Sequence, residues 1–86
     1  MKIKSARFFG SDGCDDCLMG LSIIKKMGIP LEYIDAFDDN FQDLCDREDV
    51  WELPHLQVFF FDSDMETYIG IGSIVIFEKK YSKKEK

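Results

Sequence analysis

The sequence predicts an α/β domain with the element order β-α-β-α-β-β-α and a four-stranded mixed sheet flanked by helices. Three observations predict it. Residues 3–35 have the length and order of a βαβ unit, which requires a parallel strand pair. The apolar run 56–61 is followed by a turn and a shorter strand, as in an antiparallel hairpin. With 86 residues in total, the chain has room for one domain, residues 1–86.

The first half of the chain alternates strand, helix and strand. Residues 2–9 are strand-like, and residues 10–13 are dense in turn formers. In the stretch that follows, apolar residues recur every three to four positions, as in an amphipathic helix: Leu18, Leu21, Ile23, Ile24 and Met27. Gly28 suits the end of this helix and Pro30 prevents its continuation. Residues 31–35 then alternate as the second strand.

A second, shorter helix and a hairpin follow. The residues that can cap this helix are Asp38, Asp39 and Asn40, and its apolar side carries Phe41, Leu44 and Cys45. Residues 56–61 are the most strand-like run in the chain, and Pro54 precedes them. Residues 62–64 form a turn, and residues 65–69 pair back as the hairpin partner.

The last segment has two interpretations. Ser73 can cap a final helix in which Ile74, Phe77 and Tyr81 fall on one face. The run 74–77 could instead be a fifth strand. We expect the helix, because the apolar spacing continues to Tyr81.

Composition excludes several classes of protein. A chain that is 45% hydrophobic and 14% aromatic is not disordered, and Trp51, Phe59, Phe60 and Phe61 are expected in its core. The net charge of −6 argues against a nucleic-acid partner. The basic end, residues 79–86, is expected to be a solvated helix end. Because the chain has neither an 18-residue apolar run nor a signal peptide, we expect a cytoplasmic monomer without membrane contact.

Cys14 and Cys17 are the candidate reactive pair. They lie three positions apart, where the predicted first helix begins, so their sulfur atoms can form a disulfide. The positive end of a helix favours a thiolate, which makes Cys14 the candidate nucleophile and Cys17 the resolving thiol. Two alternatives remain open. The cysteines could be inert, or they could bind metal, although Cys45 and His55 do not have zinc-site spacing.

At this point the sequence resembles the thioredoxin-like superfamily, and within it the small glutaredoxins. The resemblance runs from Ile3 to about Tyr81. It depends on the Cys14-x-x-Cys17 motif after a strand, on Leu53-Pro54 before an apolar strand, and on Gly70 at the end of the hairpin. It implies a thiol–disulfide oxidoreductase with no bound cofactor. Glutathione or a thioredoxin-type reductase would donate electrons, and a protein disulfide, glutathione or both would be the partner.

The resemblance also implies a substrate site. Leu53-Pro54 is expected to be a cis peptide bond facing the cysteine pair, so that the Leu53 backbone can pair with an extended substrate. Gly70, together with Gly72, would leave room for that substrate at the same rim. Asp15 and Asp16 lie between the cysteines, where their charges would tune the thiol.

Several positions depart from the family patterns. Thioredoxins usually have an acid where this chain has Phe8 and a tryptophan where it has Gly13, and both absences favour the glutaredoxins. Glutaredoxins usually have a lysine where this chain has Ser11, and Pro-Tyr where it has Asp15-Asp16. Glutathione carries two carboxylates, so this acidic site is expected to bind it weakly and to prefer protein or peptide disulfides.

Three further interpretations stay open. His55 could tune a thiol, but a hydrogen-bonded or exposed histidine is expected. Cys45 is expected to be inert packing in the second helix. The whole chain could also be a thioredoxin-like adaptor that docks a partner without turnover, or a metal or iron–sulfur carrier.

Overall fold

The computed structural model describes residues 2–81 of the chain. The elements are, in order, β1 (Ile3–Gly10), α1 (Asp15–Lys26), β2 (Leu31–Asp35), a short 3₁₀ turn (Asp39–Phe41), α2 (Gln42–Arg47), β3 (His55–Phe60), β4 (Met65–Ile69) and α3 (Ile71–Tyr81). This order confirms the predicted one. The expectation for residues 82–86 of the basic end lies outside the described residues. No helix within residues 2–81 is both long and apolar enough to cross a membrane.

The four strands form one mixed sheet in the order β2-β1-β3-β4. β1 pairs with β2 in parallel, as the βαβ unit predicts, and β3 is antiparallel to both β1 and β4. Phe9, near the end of β1, is opposite Ile34 in β2 and His55 in β3. Because β3 runs against β1, the chain that leaves β1 and the chain that enters β3 meet at one end of the sheet.

Helices cover both faces of this sheet. On one face, α1 and α3 pack over the β1 and β3 side chains; the buried cluster there is Ala6, Phe8, Cys17, Ile24, Leu56, Val58, Phe60, Ile74 and Phe77. On the other face, a smaller cluster brings Cys45 of α2 against Phe9 and Ile34. Successive strand residues point to opposite faces, which is why Phe8 and Phe9 belong to different clusters.

The buried side of α1 agrees with the predicted one at Ile24, against whose cluster Leu21, Ile23 and Met27 also pack, and differs from it at one residue. Leu18 is exposed, and the residues that are buried are Cys17, Gly20 and Ile24. The reason is Gly20, where an added Cβ atom would lie 3.1 Å from Ile74 and 3.3 Å from the Phe8 ring. The missing side chain allows α1 to approach the sheet closely along this line. An apolar-spacing pattern does not count glycine as a buried position, so it included Leu18 and overlooked Gly20.

The last segment is a helix, which settles the alternative between helix and strand. Ile74 and Phe77 are buried on its inner face, and the Tyr81 ring lies 5.1 Å from that of Phe77. The start differs from the expectation, because α3 begins at Ile71 and Ser73 is inside it. Gly70 has a φ angle of +88°, which ends β4 and turns the chain directly into the helix without a serine cap.

The predicted cap of the second helix lies on the 3₁₀ turn before it, since α2 itself starts after Phe41 without a side-chain cap, and two aromatic residues are not in the core. Asp38 caps the 3₁₀ turn by accepting the Asn40 N–H at 2.9 Å. The expectation that Trp51 and Phe61 are buried is wrong, because they are 83% and 67% exposed. Phe61 directly follows β3 and Trp51 lies in the loop that precedes it, so neither belongs to the strand that directs Phe60 into the core.

Candidate active site

Cys14 occupies the N-cap of α1. Its backbone is extended, with φ −108° and ψ 108°, and its Sγ accepts the Cys17 N–H at 3.0 Å. The next helical N–H, that of Leu18, donates to the Cys14 carbonyl at 3.1 Å. A capping side chain normally accepts from the second or third helical N–H, and here a cysteine sulfur does so. The cap therefore fixes Cys14 Sγ at the positive end of the helix.

The two cysteines are bonded to each other and differ in exposure. Cys14 and Cys17 form a disulfide across a Cα–Cα distance of 5.1 Å. Cys17 is 1% exposed in the cluster beneath α1, whereas Cys14 is half-buried. Of the two residues, Cys14 is thus the more accessible to an incoming molecule. The assignment of nucleophile and resolving thiol remains a prediction.

Leu53 and Pro54 lie at the same end of the sheet. Their peptide bond is cis, which confirms the expectation drawn from the resemblance. Pro54 is buried, and its carbonyl accepts the Gly70 N–H at 2.8 Å, so the loop before β3 is tied to the end of β4. Within residues 2–81, the Leu53 N–H and carbonyl have no hydrogen-bond partner.

Gly70 and Gly72 are not equivalent. The Gly70 contact with Pro54 places it at the expected rim, and no heavy atom lies within 4 Å of where its Cβ would be. Gly72 is exposed in the first turn of α3. Of the two, only Gly70 is tied directly to the proline loop.

Asp15 and Asp16 extend into solvent. Both are exposed residues of the first turn of α1, where carboxylates interact favourably with the helix dipole. Ser11, at the position of the glutaredoxin lysine, is 8% exposed. The segment from residue 8 to residue 24, which contains the dithiol, carries carboxylates and no cation.

His55 corrects an expectation. It is neither exposed nor hydrogen-bonded: the side chain is 3% exposed, and both ring nitrogens lack a partner within residues 2–81. Its ring stands edge-on to Phe9 at 5.3 Å. Burial lowers the pKa of His55, and the charge of Glu48 opposes this only in part. Because His55 shares the face of Phe9, the sheet separates its ring from Cys17.

Cys45 is buried on the same face as His55, in α2. Burial, with a smaller contribution from Asp46, raises the pKa of the Cys45 thiol. A thiol that resists ionisation is a poor nucleophile, so this environment suits a packing role.

Other chemistries have little support in the described part of the chain. No group of three or more histidine, cysteine, aspartate or glutamate side chains could hold a metal ion among residues 2–81. A surface groove of about 720 Å³ lies between Lys4, Arg7 and Phe59, at the start of β1 and the end of β3. That is the end of the sheet opposite to the dithiol.

Sequence reasoning missed two residues beside the site. Phe37 follows β2 and is 74% exposed, and Trp51 precedes Leu53. The Ala36 N–H donates to the Gly10 carbonyl at 2.8 Å, which holds Phe37 next to the loop before Cys14. One signal was available: each aromatic residue has acidic neighbours in sequence, a context that is more typical of a surface than of a core.

Comparison with known proteins gives a result in structure but none in sequence. No protein-family model matches the chain, and no curated protein sequence does so. Among solved structures, the germline-specific thioredoxin Deadhead of Drosophila melanogaster superposes with a TM-score of 0.69 at 17% identity, covering 95% of this chain and 81% of the other. A thioredoxin of Halobacterium salinarum superposes with a TM-score of 0.71 at 19% identity, covering 88% of this chain and 69% of the other. Thioredoxin O2 of Arabidopsis thaliana superposes with a TM-score of 0.73 at 14% identity, covering 90% of this chain and 73% of the other.

These likenesses cover 88–95% of this chain. They do not separate thioredoxins from glutaredoxins, so the closer resemblance to glutaredoxins stays a prediction. Together with the mixed sheet, they show that this chain has the thioredoxin-like fold.

Proposed function

We propose that the protein is a thiol–disulfide oxidoreductase that uses Cys14 and Cys17 to reduce disulfides. One observation carries the proposal: a bonded cysteine pair lies at a helix N-terminus, with Cys14 half-buried and Cys17 fully buried. A structural disulfide gains most from closing a long loop, and this pair closes a very short one. The position instead suits a pair that opens and closes.

The reaction would proceed in two displacements. The Cys14 thiolate attacks one sulfur of the substrate disulfide, and the other substrate sulfur leaves as a thiolate. The Cys17 thiol then loses its proton and attacks Cys14 Sγ, which releases the second substrate sulfur. Two electrons pass to the substrate, and Cys14 and Cys17 end as a disulfide. Glutathione or a thioredoxin-type reductase would return the electrons.

The Leu53 backbone would position the substrate. Its N–H and carbonyl are free of partners within residues 2–81 and lie at the end of the sheet where α1 begins. An extended peptide could pair with them as an added strand segment while its disulfide meets Cys14. Gly70 would leave space beside this segment.

Protein or peptide disulfides would be better substrates than glutathione. The only charged side chains between residues 8 and 24 are Asp12, Asp15 and Asp16, and glutathione itself carries two carboxylates. We further propose a cytoplasmic monomer that acts without nucleic acid or membrane.

The test is disulfide reduction by the reduced protein, using a peptide disulfide, glutathione disulfide and the neutral hydroxyethyl disulfide. Cys14→Ser should abolish all three activities. Cys17→Ser should accumulate a mixed disulfide at Cys14, and brief iodoacetamide treatment should label Cys14 before Cys17. If Cys14→Ser kept its biological function in full, the adaptor interpretation would replace this one.

A further inference from the structure

Two exposed aromatic residues lie in loops at the dithiol end of the sheet. Trp51 and Phe37, at 83% and 74%, are the most exposed large apolar residues in the described chain. Phe37 lies beside the loop before Cys14, since the N–H of the preceding residue, Ala36, donates a hydrogen bond to the Gly10 carbonyl. Trp51 is two residues before Leu53, so their Cα atoms are at most about 7 Å apart. Exposed apolar surface at the same end of the sheet as a reactive sulfur is suited to contact with a polypeptide.

The surface around these aromatic residues is acidic. Its exposed carboxylates are those of Asp12, Asp15, Asp16, Asp39 and Glu52. None of them has a hydrogen bond or ion pair from its side chain within residues 2–81, where the only ion pair joins Arg7 to Glu32. We call Phe37, Trp51 and these five carboxylates the acidic rim.

The described cations lie mostly at the other end of the molecule. Lysines stand at the start of β1 and in the last turns of α1 and α3: Lys2, Lys4, Lys25, Lys26, Lys79 and Lys80. Both helices begin at the dithiol end of the sheet and run away from it. The lysines are therefore concentrated at the end opposite the dithiol, while the two described arginines lie in β1 (Arg7) and at the end of α2 (Arg47). The unpaired carboxylates of the rim attract cations.

We propose that the acidic rim selects polypeptide disulfides whose cysteine is flanked by basic and apolar residues. The inference deepens the proposed function and depends on it. The basic side chains of the substrate would meet unpaired carboxylates, and its apolar side chains would cover Phe37 and Trp51. Charge complementarity guides the encounter, and burial of the aromatic faces holds the complex while sulfur exchange takes place.

The test compares three disulfide-linked peptide dimers of identical length. Each has leucine on both sides of its cysteine and two outer residues that are lysine, glutamine or glutamate. Reduced protein transfers two electrons to each dimer, giving two peptide thiols and the Cys14–Cys17 disulfide. Samples are quenched with acid, and the peptide thiol is separated from the remaining dimer. The amounts give a second-order rate constant for the reduction of each dimer. Hydroxyethyl disulfide, which is small and neutral, reports the dithiol chemistry alone.

The lysine peptide should react about 10-fold faster than the glutamate peptide at low ionic strength, with the glutamine peptide in between. Raising the salt to about 1 M, where the screening length is about 3 Å, should reduce this ratio to about 2-fold or less. Asp39→Asn/Glu52→Gln should reduce the ratio about 3-fold. Trp51→Ala should slow all three peptides several-fold and leave hydroxyethyl disulfide unchanged.

Matched controls lie at the opposite end of the sheet. Asp62→Asn/Asp64→Asn makes the same change in net charge in the β3–β4 turn, and Phe61→Ala removes an exposed aromatic side chain there. Both should leave the peptide ratios unchanged. If the remote pair reduced the ratio as much as the rim pair, net charge rather than the rim would be responsible, and the proposal would be overturned.

Other outcomes also contradict the inference in distinguishable ways. Equal rates for the three peptides, with hydroxyethyl disulfide still reduced, would overturn the proposed selectivity of the rim and leave the proposed oxidoreductase activity unaffected. If the protein reduced none of these disulfides, both the proposed selectivity and the proposed oxidoreductase activity would be overturned. The basic end of a second copy is another conceivable occupant of the rim. Salt-sensitive, concentration-dependent sedimentation of the protein alone would favour that occupant over a substrate.

Discussion

The N-cap role of Cys14 predicts that two substitutions of this residue differ in stability. Serine and alanine both remove the disulfide, but only serine keeps a side chain that can accept the Cys17 N–H, as Sγ does at 3.0 Å. The extended backbone of Cys14 is the conformation that capping residues adopt. Cys14→Ser should therefore be more stable than Cys14→Ala.

The magnitude follows from the environment of the N–H that loses its partner. Loss of an N-cap acceptor costs about 0.5–2 kcal/mol. Cys17 is 1% exposed, so water can replace the lost bond only poorly. The upper half of the range, about 1–2 kcal/mol, should apply, and each kcal/mol corresponds to a difference in Tm of about 4–8 °C in a domain of this size.

The assay is thermal unfolding of both variants under reducing conditions, followed by far-ultraviolet circular dichroism. Neither variant can close the disulfide, so the difference between them reports the cap. Ser22→Ala provides a control, because Ser22 is exposed within α1 and its hydroxyl is in none of the hydrogen bonds of residues 2–81. Equal midpoints for the two Cys14 variants, or a less stable serine variant, would refute the capping argument.

Three further predictions concern burial and charge. His55 has a lowered pKa in the folded state, so stability should fall as the pH drops below about 6.5 and the unfolded chain takes up a proton; His55→Leu should flatten this slope in urea titrations across the pH range. Asp15→Asn/Asp16→Asn removes two charges that disfavour the thiolate, so the reduction potential measured against glutathione should become less negative by about 10–40 mV. Phe77→Ala should cost about 3–5 kcal/mol of unfolding free energy, and Phe61→Ala less than about 0.5 kcal/mol.

The parts of the fold that depend on local chemistry could be predicted from the sequence. Turn formers, Pro30 and the cysteine spacing mark where elements end, and they led to the correct element order. The family resemblance added the cis bond at Leu53-Pro54, which no pattern of apolar residues could indicate. The candidate site was thus predictable in outline, because each of its two halves has a distinctive residue pair: Cys14 with Cys17, and Leu53 with Pro54.

What escaped prediction depends on distances between elements. The packing of α1 follows from the close approach at Gly20, which becomes visible only once Phe8 and Ile74 face it. The exposure of Trp51 follows from its place just before β3, outside the alternating run. His55 was expected to be hydrogen-bonded or exposed, and its burial without a partner depends on how β3 pairs with β1.

The sheet order has a consequence for how the protein opens locally. β1 and β3 are the two central strands, each bonded on both sides, whereas β2 and β4 form the edges. Amide hydrogens shared by the central pair should therefore exchange with solvent last. Cys14 follows one of these strands and Pro54 precedes the other, so fraying of an edge leaves the two halves of the site in register. The Asp62–Asp64 turn lies at the far end of this pair, where an inserted segment should disturb the dithiol least.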